Sequence, residues 1–173
     1  FKGSFVAIVT PMHDDGSVDY VSLAALVEFH INAGTDGIVS VGTTGESATL
    51  SFTQHVDVVK ATVAAVNGRC TVVVGSGANS TEESLYLQNE TQSLGIDGFL
   101  SVVPYYNKPE QRGMIAHFTA LADAATVPVI LYNVPGRTVA DMLPETVATL
   151  AKHPNIVGLK DATGDLQRLK DTQ

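Results

Sequence analysis

The sequence has little positive charge and a single cysteine. Lysine and arginine total 10 residues against 18 of aspartate and glutamate, which gives a formal net charge of −8 at pH 7. The basic residues are scattered, so nucleic-acid and anionic-membrane partners are not expected. Cys70 has no second cysteine with which to form an internal disulfide, which favours the cytoplasm and predicts a small buried residue at the start of a strand.

Long apolar runs and several catalytic patterns are also missing. No window approaches the roughly 18 continuous apolar residues that a membrane helix needs, and the N-terminal stretch does not read as a signal peptide. The five histidines have neither HxH nor HExxH spacing, and no GxSxG elbow occurs. We therefore predict a soluble protein without a metal site and without a serine-hydrolase triad.

Six short apolar runs recur along the chain. Their nearly continuous hydrophobicity is typical of strands that are buried on both faces of a parallel sheet. Amphipathic patterns between them predict helices. The strands are expected at 5–10, 37–42, 71–77, 98–103, 128–134 and 156–162, and the helices at 23–31, 56–66, 80–94, 110–125 and 144–152.

Two of the strand–helix junctions repeat each other in sequence. AGTDGIVSV (33–41) resembles LGIDGFLSV (94–102). In each segment a glycine ends a helix, an aspartate and a second glycine follow, and a buried strand begins. The repeat predicts the same local geometry at both places.

The alternation of strand and helix predicts an α/β fold. A (β/α)8 TIM barrel is favoured over an open doubly wound sheet, because the first βα loop lacks the dinucleotide-binding glycine fingerprint. A complete barrel has about 250 residues. We therefore predict that residues 1–173 form about the first six βα units of one domain, and that the last two strands and a C-terminal helical region are absent.

Polar groups follow several of the predicted strands. The second strand runs into GTTGES (42–47), the fourth into PYYNKP (104–109) and the fifth into YNVPGRT (132–138), and the sixth contains Lys160. Functional groups of such barrels lie where strands end and βα loops begin. These side chains are therefore expected to converge on one rim.

Lys160 follows Ile156 to Leu159 directly, without a turn residue. A buried ammonium is costly unless it is paired or loses its proton. In one interpretation the Lys160 stem packs while its amine pairs with Asp161 or Glu46. In the other, a neutral amine attacks a ketone and forms a Schiff base. Tyr132 favours the second interpretation if its phenol moves protons, although strand-end tyrosines more often only pack.

The other strand ends also allow two interpretations each. GTTGE is either a turn that caps the next helix or a nest of amides and Thr43 and Thr44 hydroxyls that holds a carboxylate. Arg137 either braces its loop or binds a second carboxylate. Tyr105 and Tyr106 either pack on the surface or reach into a neighbouring subunit.

The motifs GTTGES, PYYNKP, YNVPGRT and GLKDATG, in this order and spacing, resemble the dihydrodipicolinate synthase family of pyruvate-dependent class I aldolases. The likeness covers essentially all 173 residues. It implies that Lys160 forms a Schiff base with pyruvate. It also implies that Tyr132, Thr43 and Tyr106 relay protons, with Tyr106 contributed across a tight dimer interface.

The resemblance further implies the substrates and the reaction. Thr43 and Thr44 would hold the carboxylate of pyruvate, and Arg137 that of aspartate semialdehyde. Their condensation gives 4-hydroxy-tetrahydrodipicolinate, the first committed step of lysine and diaminopimelate biosynthesis. It requires no metal or organic cofactor, because the protonated imine is the electron sink. The family is typically a homotetramer built from dimers, and the 173 residues alone are expected to show little activity.

Two alternatives stay open. One is another class I aldolase, such as N-acetylneuraminate lyase or a 2-keto-3-deoxy sugar acid aldolase. The other is a non-catalytic barrel that binds a small acid.

Many members of this family are inhibited by lysine at the dimer interface. The matching positions here are Ser47, Ala48, His55, Asn79, Glu83 and Tyr105. Phe52 departs from the family pattern, because lysine-sensitive members often have a histidine there. Glu83 would bind the amino group of lysine, although a carboxylate is also favoured at a helix N-terminus by the macrodipole alone.

Overall fold

The structure is a computed structural model that describes residues 1–172. Its internal contacts form two compact units. The first unit consists of residues 1–75 and 90–98, and the second of residues 76–89 together with the chain from residue 99 onward.

The first unit contains three parallel strands with helices between them. Val6 lies opposite Ile38, and Ile38 lies opposite Val72, which fixes the register of all three strands. The elements are β1 (Phe5–Ala7), α1 (Tyr20–Asn32), β2 (Gly37–Ser40), a 3-10 turn (Ser47–Thr49), α2 (Phe52–Val66) and β3 (Thr71–Gly75).

The second unit repeats this order. Strands β5 and β6 pair in parallel, and so do β4 and β5, with Val102 opposite Tyr132 and Tyr132 opposite Lys160. The elements that lie wholly or mostly in this unit are α3 (Thr81–Thr91), β4 (Gly98–Val102), α4 (Gln111–Ala124), β5 (Val129–Asn133), α5 (Pro135–Thr138), α6 (Pro144–Leu150), β6 (Ile156–Asp161) and α7 (Arg168–Asp171).

These elements confirm the predicted strands and helices to within a few residues at their ends. Pro144 occupies the first turn of α6, because its fixed φ and missing N–H suit that position. The Ser80 hydroxyl accepts from the Glu83 backbone N–H at 3.4 Å and so caps the N-terminus of α3. The short helices α5 and α7 were not predicted, because a single turn leaves no periodic pattern to detect.

The core of the second unit lies between its strands and helices α4 and α6. Phe118 and Leu121 of α4 are completely buried, and Leu131 of β5 is nearly so. The cluster also contains Val103, Met114, Ala122, Ala140, Met142, Val147, Leu150 and Ile156. It positions β5 and β6, which contain Tyr132 and Lys160.

The sequence repeat forms the same structure twice. Gly34 and Gly95 have φ values of 83° and 88°, in the left-handed region that suits glycine at the end of a helix. The Asp36 carboxylate accepts from the Ser4 N–H at 2.7 Å, and the Asp97 carboxylate accepts from the Val72 N–H at 2.8 Å. Each aspartate therefore links the strand that follows it to the chain of the preceding strand.

Burial at β6 differs from the prediction of a strand covered on both faces. Ile156 is 8 % exposed, but Val157 is 51 % exposed and Lys160 is also exposed. β6 pairs with β5 along one edge, and in the part of the second unit that the structure describes no strand covers its other edge. Cys70 precedes β3 and is only partly buried, so the prediction of a buried cysteine was wrong.

None of the helices formed by residues 1–172 is both long and apolar enough to cross a bilayer.

Candidate active site

Lys160 and Tyr132 face each other on adjacent strands. They are directly paired in the β5–β6 register, and the Lys160 Nζ lies 4.2 Å from the centre of the Tyr132 ring. The ring is 7 % exposed and therefore held firmly by its neighbours. An amine over an aromatic face is in the geometry of a cation–π contact when it is charged. The predicted pairing of amine and phenol-bearing ring is thus present.

The surroundings of Lys160 make its amine easier to deprotonate than that of an ordinary lysine. Although part of the side chain is exposed, burial lowers the pKa of the amine below its ordinary value. The amine lies beside a cavity of about 750 Å³ at the edge of β6. Its lining includes the apolar residues Leu131, Val147, Ala151, Ile156, Val157 and Leu159.

The neighbouring carboxylate has other partners. The Asp161 Oδ1 accepts from the Thr163 N–H and hydroxyl at 2.8 and 2.6 Å, and its Oδ2 accepts from Arg168 at 3.2 Å. Burial opposes ionisation, but the Thr163 hydrogen bonds and the Arg168 charge hold the pKa of Asp161 below its ordinary value. The interpretation in which Asp161 pairs with Lys160 therefore loses its support.

Sequence reasoning missed Arg168 and Asn133. Arg168 also donates to Asp141, and the buried Asn133 side chain binds the same carboxylate. The Asp-x-Thr pattern of residues 161–163 is a turn signal that points to Asp161. Nothing local identifies Arg168, since its partners lie 7 and 27 residues away along the chain.

The GTTGES loop is a tight turn in the first unit. The Gly45 N–H donates to the Gly42 carbonyl at 3.0 Å, and the Thr10 hydroxyl donates to the Gly45 carbonyl at 2.7 Å. Thr43 and Thr44 are exposed at its tip. The loop does not cap α2, because Ser51 and Gln54 form a reciprocal capping box there. The capping interpretation of GTTGE therefore does not apply to α2, and Glu46 instead precedes the 3-10 turn as its N-cap residue.

The loop depends on a glycine in the neighbouring strand. Val41 has a left-handed φ of 47°, and a Cβ at Gly75 would lie 2.3 Å from the Val41 carbonyl oxygen. We expect Gly75→Ala to lower the free energy of unfolding by about 2–3 kcal/mol, because two backbones must separate. Urea unfolding measures this change.

Gly113→Ala is the matched control for Gly75→Ala. Its Cβ would meet Pro109 at an ordinary 3.5 Å, and alanine suits the α4 helix better than glycine by about 0.5–1 kcal/mol. The expectation is wrong if Gly75→Ala is as stable as the unaltered protein.

The loop after β4 projects Tyr106 into solvent. Tyr106 is 87 % exposed and has a φ of 72°, and Lys108 has a φ of 46°. The Asn107 side chain donates to the Asn79 carbonyl at 3.1 Å and anchors the loop. A strained, exposed aromatic residue on an anchored loop suits contact with another molecule.

Arg137 lies in the one-turn helix α5. Pro135 begins this helix directly after β5, and the Arg137 side chain is exposed. Arg137 follows Tyr132 by only five positions. The chain therefore has a phenol near the end of β5 and a guanidinium group in the short helix that follows.

Three of the positions predicted to bind lysine belong to the second unit. Tyr105 lies near Glu83 and Asn79: burial raises the pKa of its phenol, the Glu83 charge raises it further, and a hydrogen bond with the Asn79 backbone opposes this. Asn79 is partly buried and Glu83 is exposed. The structure thus groups a phenol, an amide and a carboxylate there.

The other three predicted positions belong to the first unit. The 3-10 turn contains Ser47, the last residue of GTTGES, and Ala48. His55 is 2 % exposed and its Nε2 is 2.9 Å from the Gly75 carbonyl oxygen. Burial lowers the pKa of His55 to about 4, so its ring is neutral at pH 7.

Among residues 1–172, no three histidine, cysteine, aspartate or glutamate side chains form a group suited to a metal ion.

The sequence matches the Dihydrodipicolinate synthetase family over residues 1–173. The chain belongs to this family. It is 62 % identical over 173 residues to a 4-hydroxy-tetrahydrodipicolinate synthase of Pseudoalteromonas atlantica, and it spans 59 % of the length of that relative.

Solved structures of the family superpose closely on the chain. The chloride-inhibited dihydrodipicolinate synthase of Acinetobacter baumannii, complexed with pyruvate, has a TM-score of 0.96 at 53 % identity, covering 98 % of this chain and 58 % of that one. The enzyme of Cyanidioschyzon merolae with lysine bound has a TM-score of 0.94 at 44 % identity, with coverage of 98 % and 58 %. The α/β fold is therefore that of the family's (β/α)8 TIM barrel, of which the chain spans about the first six βα units.

Proposed function

We propose that the protein carrying this chain condenses pyruvate with aspartate semialdehyde to give 4-hydroxy-tetrahydrodipicolinate. The observation that carries the proposal is the amine of Lys160 above the Tyr132 ring, at the matched ends of two parallel strands in a chain of this family. A neutral amine next to a phenol-bearing ring suits imine formation with a keto acid.

The first step is attack of the Lys160 Nζ on the keto carbon of pyruvate. A carbinolamine forms and then loses water to give the imine, with Tyr132 moving protons. The imine draws electrons from the pyruvate methyl group, which loses a proton to become an enamine. The enamine carbon then attacks the aldehyde, and ring closure through the substrate amine releases the Lys160 amine. The covalent imine replaces a metal or organic cofactor.

The other residues are assigned to binding and proton transfer. Thr43 and Thr44, exposed at the tip of their loop, hold the pyruvate carboxylate, and Thr43 joins the proton relay. Tyr106 of a neighbouring subunit completes the relay, a role supported by its exposure. The same assignment makes the protein a homotetramer built from dimers, and its biosynthetic reaction suits the cytoplasm.

Lysine is the proposed effector. Asn79, Glu83 and Tyr105 offer an amide, a carboxylate and a phenol that suit an amino acid, and Ser47, Ala48 and His55 are the remaining positions. A relative with lysine bound supports this assignment. Phe52, which is 45 % exposed, replaces the histidine of lysine-sensitive members, so weak inhibition is expected.

The proposal is tested with a chain of the relatives' length. Residues 1–173 are continued by the C-terminal sequence of the Pseudoalteromonas atlantica relative, which the chain matches over 59 % of its length, and we call this the completed chain. Incubation with pyruvate and borohydride, followed by mass spectrometry, should place one pyruvate-derived adduct on Lys160. Product formation from pyruvate and aspartate semialdehyde is measured in parallel. A folded completed chain with neither adduct nor product would favour a non-catalytic barrel.

The effect of replacing Arg137 distinguishes the synthase from other class I aldolases. We expect Arg137→Ala to raise the KM for aspartate semialdehyde by about 10- to 100-fold, because a charged hydrogen-bonding pair with a carboxylate is lost. Adduct formation with pyruvate should be unchanged, since the imine forms before the aldehyde binds. Steady-state kinetics and adduct mass spectrometry measure the two effects.

Arg112→Ala is the control for Arg137→Ala. Arg112 is an exposed arginine that pairs with Glu110 on the surface, and its loss should leave both measurements unchanged. If Arg137→Ala does not alter the KM for aspartate semialdehyde, this substrate assignment is wrong and another aldehyde must be sought.

A further inference from the structure

The ends of β5 and β6 are joined through one guanidinium group. The Arg168 side chain is 13 % exposed and binds Asp161, directly after Lys160, and Asp141, in the segment that follows α5. A second terminal nitrogen of Arg168 donates to the Met142 carbonyl. One side chain thus connects two loops through three acceptors.

Asn133 extends this connection to β5. It is completely buried, its Nδ2 donates to the Asp141 Oδ1 at 2.8 Å, and its Oδ1 accepts from the Met142 N–H at 3.0 Å. Its carbonyl also accepts from the Ala162 N–H at 2.8 Å. The network therefore runs from the residue after Tyr132 to the residue after Lys160.

Each end of the network lies next to a reacting residue. Tyr132 is opposite Lys160 in the strand register, and Asn133 is opposite Asp161. A shift of either loop would move the Lys160 amine relative to the Tyr132 ring. Fixing both loops holds the two side chains in the observed arrangement.

The network also controls the charge beside the amine. The charged groups that line the same cavity as Lys160 are Asp161, Asp165 and Arg168. The Asp165 carboxylate accepts from the Gln167 N–H, and α6 contributes apolar residues to the lining. An unpaired carboxylate next to an amine favours its ammonium form, which is not nucleophilic. Arg168 compensates the Asp161 charge, so this carboxylate is paired with the guanidinium group and not with the Lys160 amine.

The other charged groups on the elements around the cavity include Glu145, which is exposed in the first turn of α6. Asp141 follows α5 and binds Arg168, and Arg137 lies within α5. Lys170 is exposed in α7, and Asp171 binds the Gln167 side chain. Arg168 is therefore the cation that directly contacts the carboxylate nearest to Lys160 in sequence.

We propose that Arg168 is a positioning residue that holds Lys160 over Tyr132 and keeps Asp161 from stabilising the ammonium form of Lys160. This inference rests on the proposed Schiff-base function. Arg168 does not touch the substrate in this proposal, since it acts through Asp161 and Asp141.

The test measures the pH dependence of adduct formation. The completed chain is incubated with pyruvate and cyanoborohydride at a series of pH values, and the rate of adduct formation on Lys160 is followed by mass spectrometry. In Arg168→Met we expect the midpoint of the pH profile to rise by about one pH unit, with about tenfold slower adduct formation at pH 7. A merely structural role would slow the reaction equally at all pH values without moving the midpoint.

Three further variants keep the test decisive if Arg168→Met is unstable. Arg168→Lys retains the charge and should restore the midpoint, although not the full rate, because it lacks the forked contacts. Arg168→Met combined with Asp161→Asn removes both charges and should also restore the midpoint. Lys170→Met removes a positive charge from the same helix without removing a partner of Asp161, so its profile should match that of the unaltered chain.

The outcomes separate the two proposals. If the unaltered completed chain forms no adduct, the Schiff-base function fails, and this inference fails with it. If the adduct forms but the midpoints of the unaltered chain, Arg168→Met and the double variant coincide, the role of Arg168 is refuted while the function stands.

Discussion

Lys160→Ala is expected to abolish the pyruvate adduct and to lower kcat/KM by about 10³-fold or more, since no other amine replaces the covalent nucleophile. Lys160→Arg should fail equally, because a guanidinium group stays protonated. Borohydride trapping measures the loss of the adduct. Product formation from pyruvate and aspartate semialdehyde measures the fall in kcat/KM. In the unaltered chain, adduct formation should rise with pH and level off below the ordinary lysine pKa, because burial lowers the pKa of Lys160.

Lys152→Ala provides the comparison for this loss. Lys152 is exposed just before β6, and it lies in neither of the two strands that carry Lys160 and Tyr132. Its replacement should leave both the adduct and the rate unchanged. A pyruvate adduct that persists in Lys160→Ala, or that maps to another lysine in the unaltered chain, contradicts the assignment.

The second large effect is expected from Tyr132→Phe. Phenylalanine keeps the ring under the Lys160 amine but removes the hydroxyl, so packing is retained while proton transfer is lost. Positioned acid–base groups typically contribute 10²–10⁴-fold, and we expect kcat to fall by about 10²-fold with little change in the KM for pyruvate. Borohydride trapping at a series of reaction times should show that the pyruvate adduct still forms, but slowly.

Tyr20→Phe is the control for the loss of a phenol. Tyr20 begins α1 and is 42 % exposed, so its hydroxyl should be dispensable for the reaction. If Tyr132→Phe retains the full kcat, the ring serves only to pack beneath the amine, and another group must move the protons.

The sequence predicted those parts of the fold that depend on local patterns. Apolar runs identified β1 to β6, and the paired glycine–aspartate segments identified two similar junctions, because hydrophobic burial and left-handed turns leave signals within a few residues. Strand placement predicted that Tyr132 and Lys160 lie near each other, and the register shows that they are directly opposite.

The rest depended on contacts between distant segments. In the sequence, Arg168 resembles any surface arginine. Its role becomes visible only in the fold, where it forms ion pairs with Asp141 and Asp161 of two different loops. Val157 is exposed although its apolar run predicts a buried strand, because the described residues provide no further strand beyond β6. The proposed roles of Thr43, Thr44, Tyr106 and Arg137 stay predictions that the variants above address.

The carboxylates of Asp36 and Asp97 have a consequence for synthesis on the ribosome. Each one belongs to a later segment than the N–H group that it binds, at Ser4 and at Val72. Ser4, just before β1, can gain this hydrogen bond only when residue 36 has left the ribosome. Val72 of β3 can gain its hydrogen bond only when residue 97 has left it. During synthesis, the hydrogen bond at Ser4 can therefore form before the one at Val72, in the order in which the two aspartates emerge.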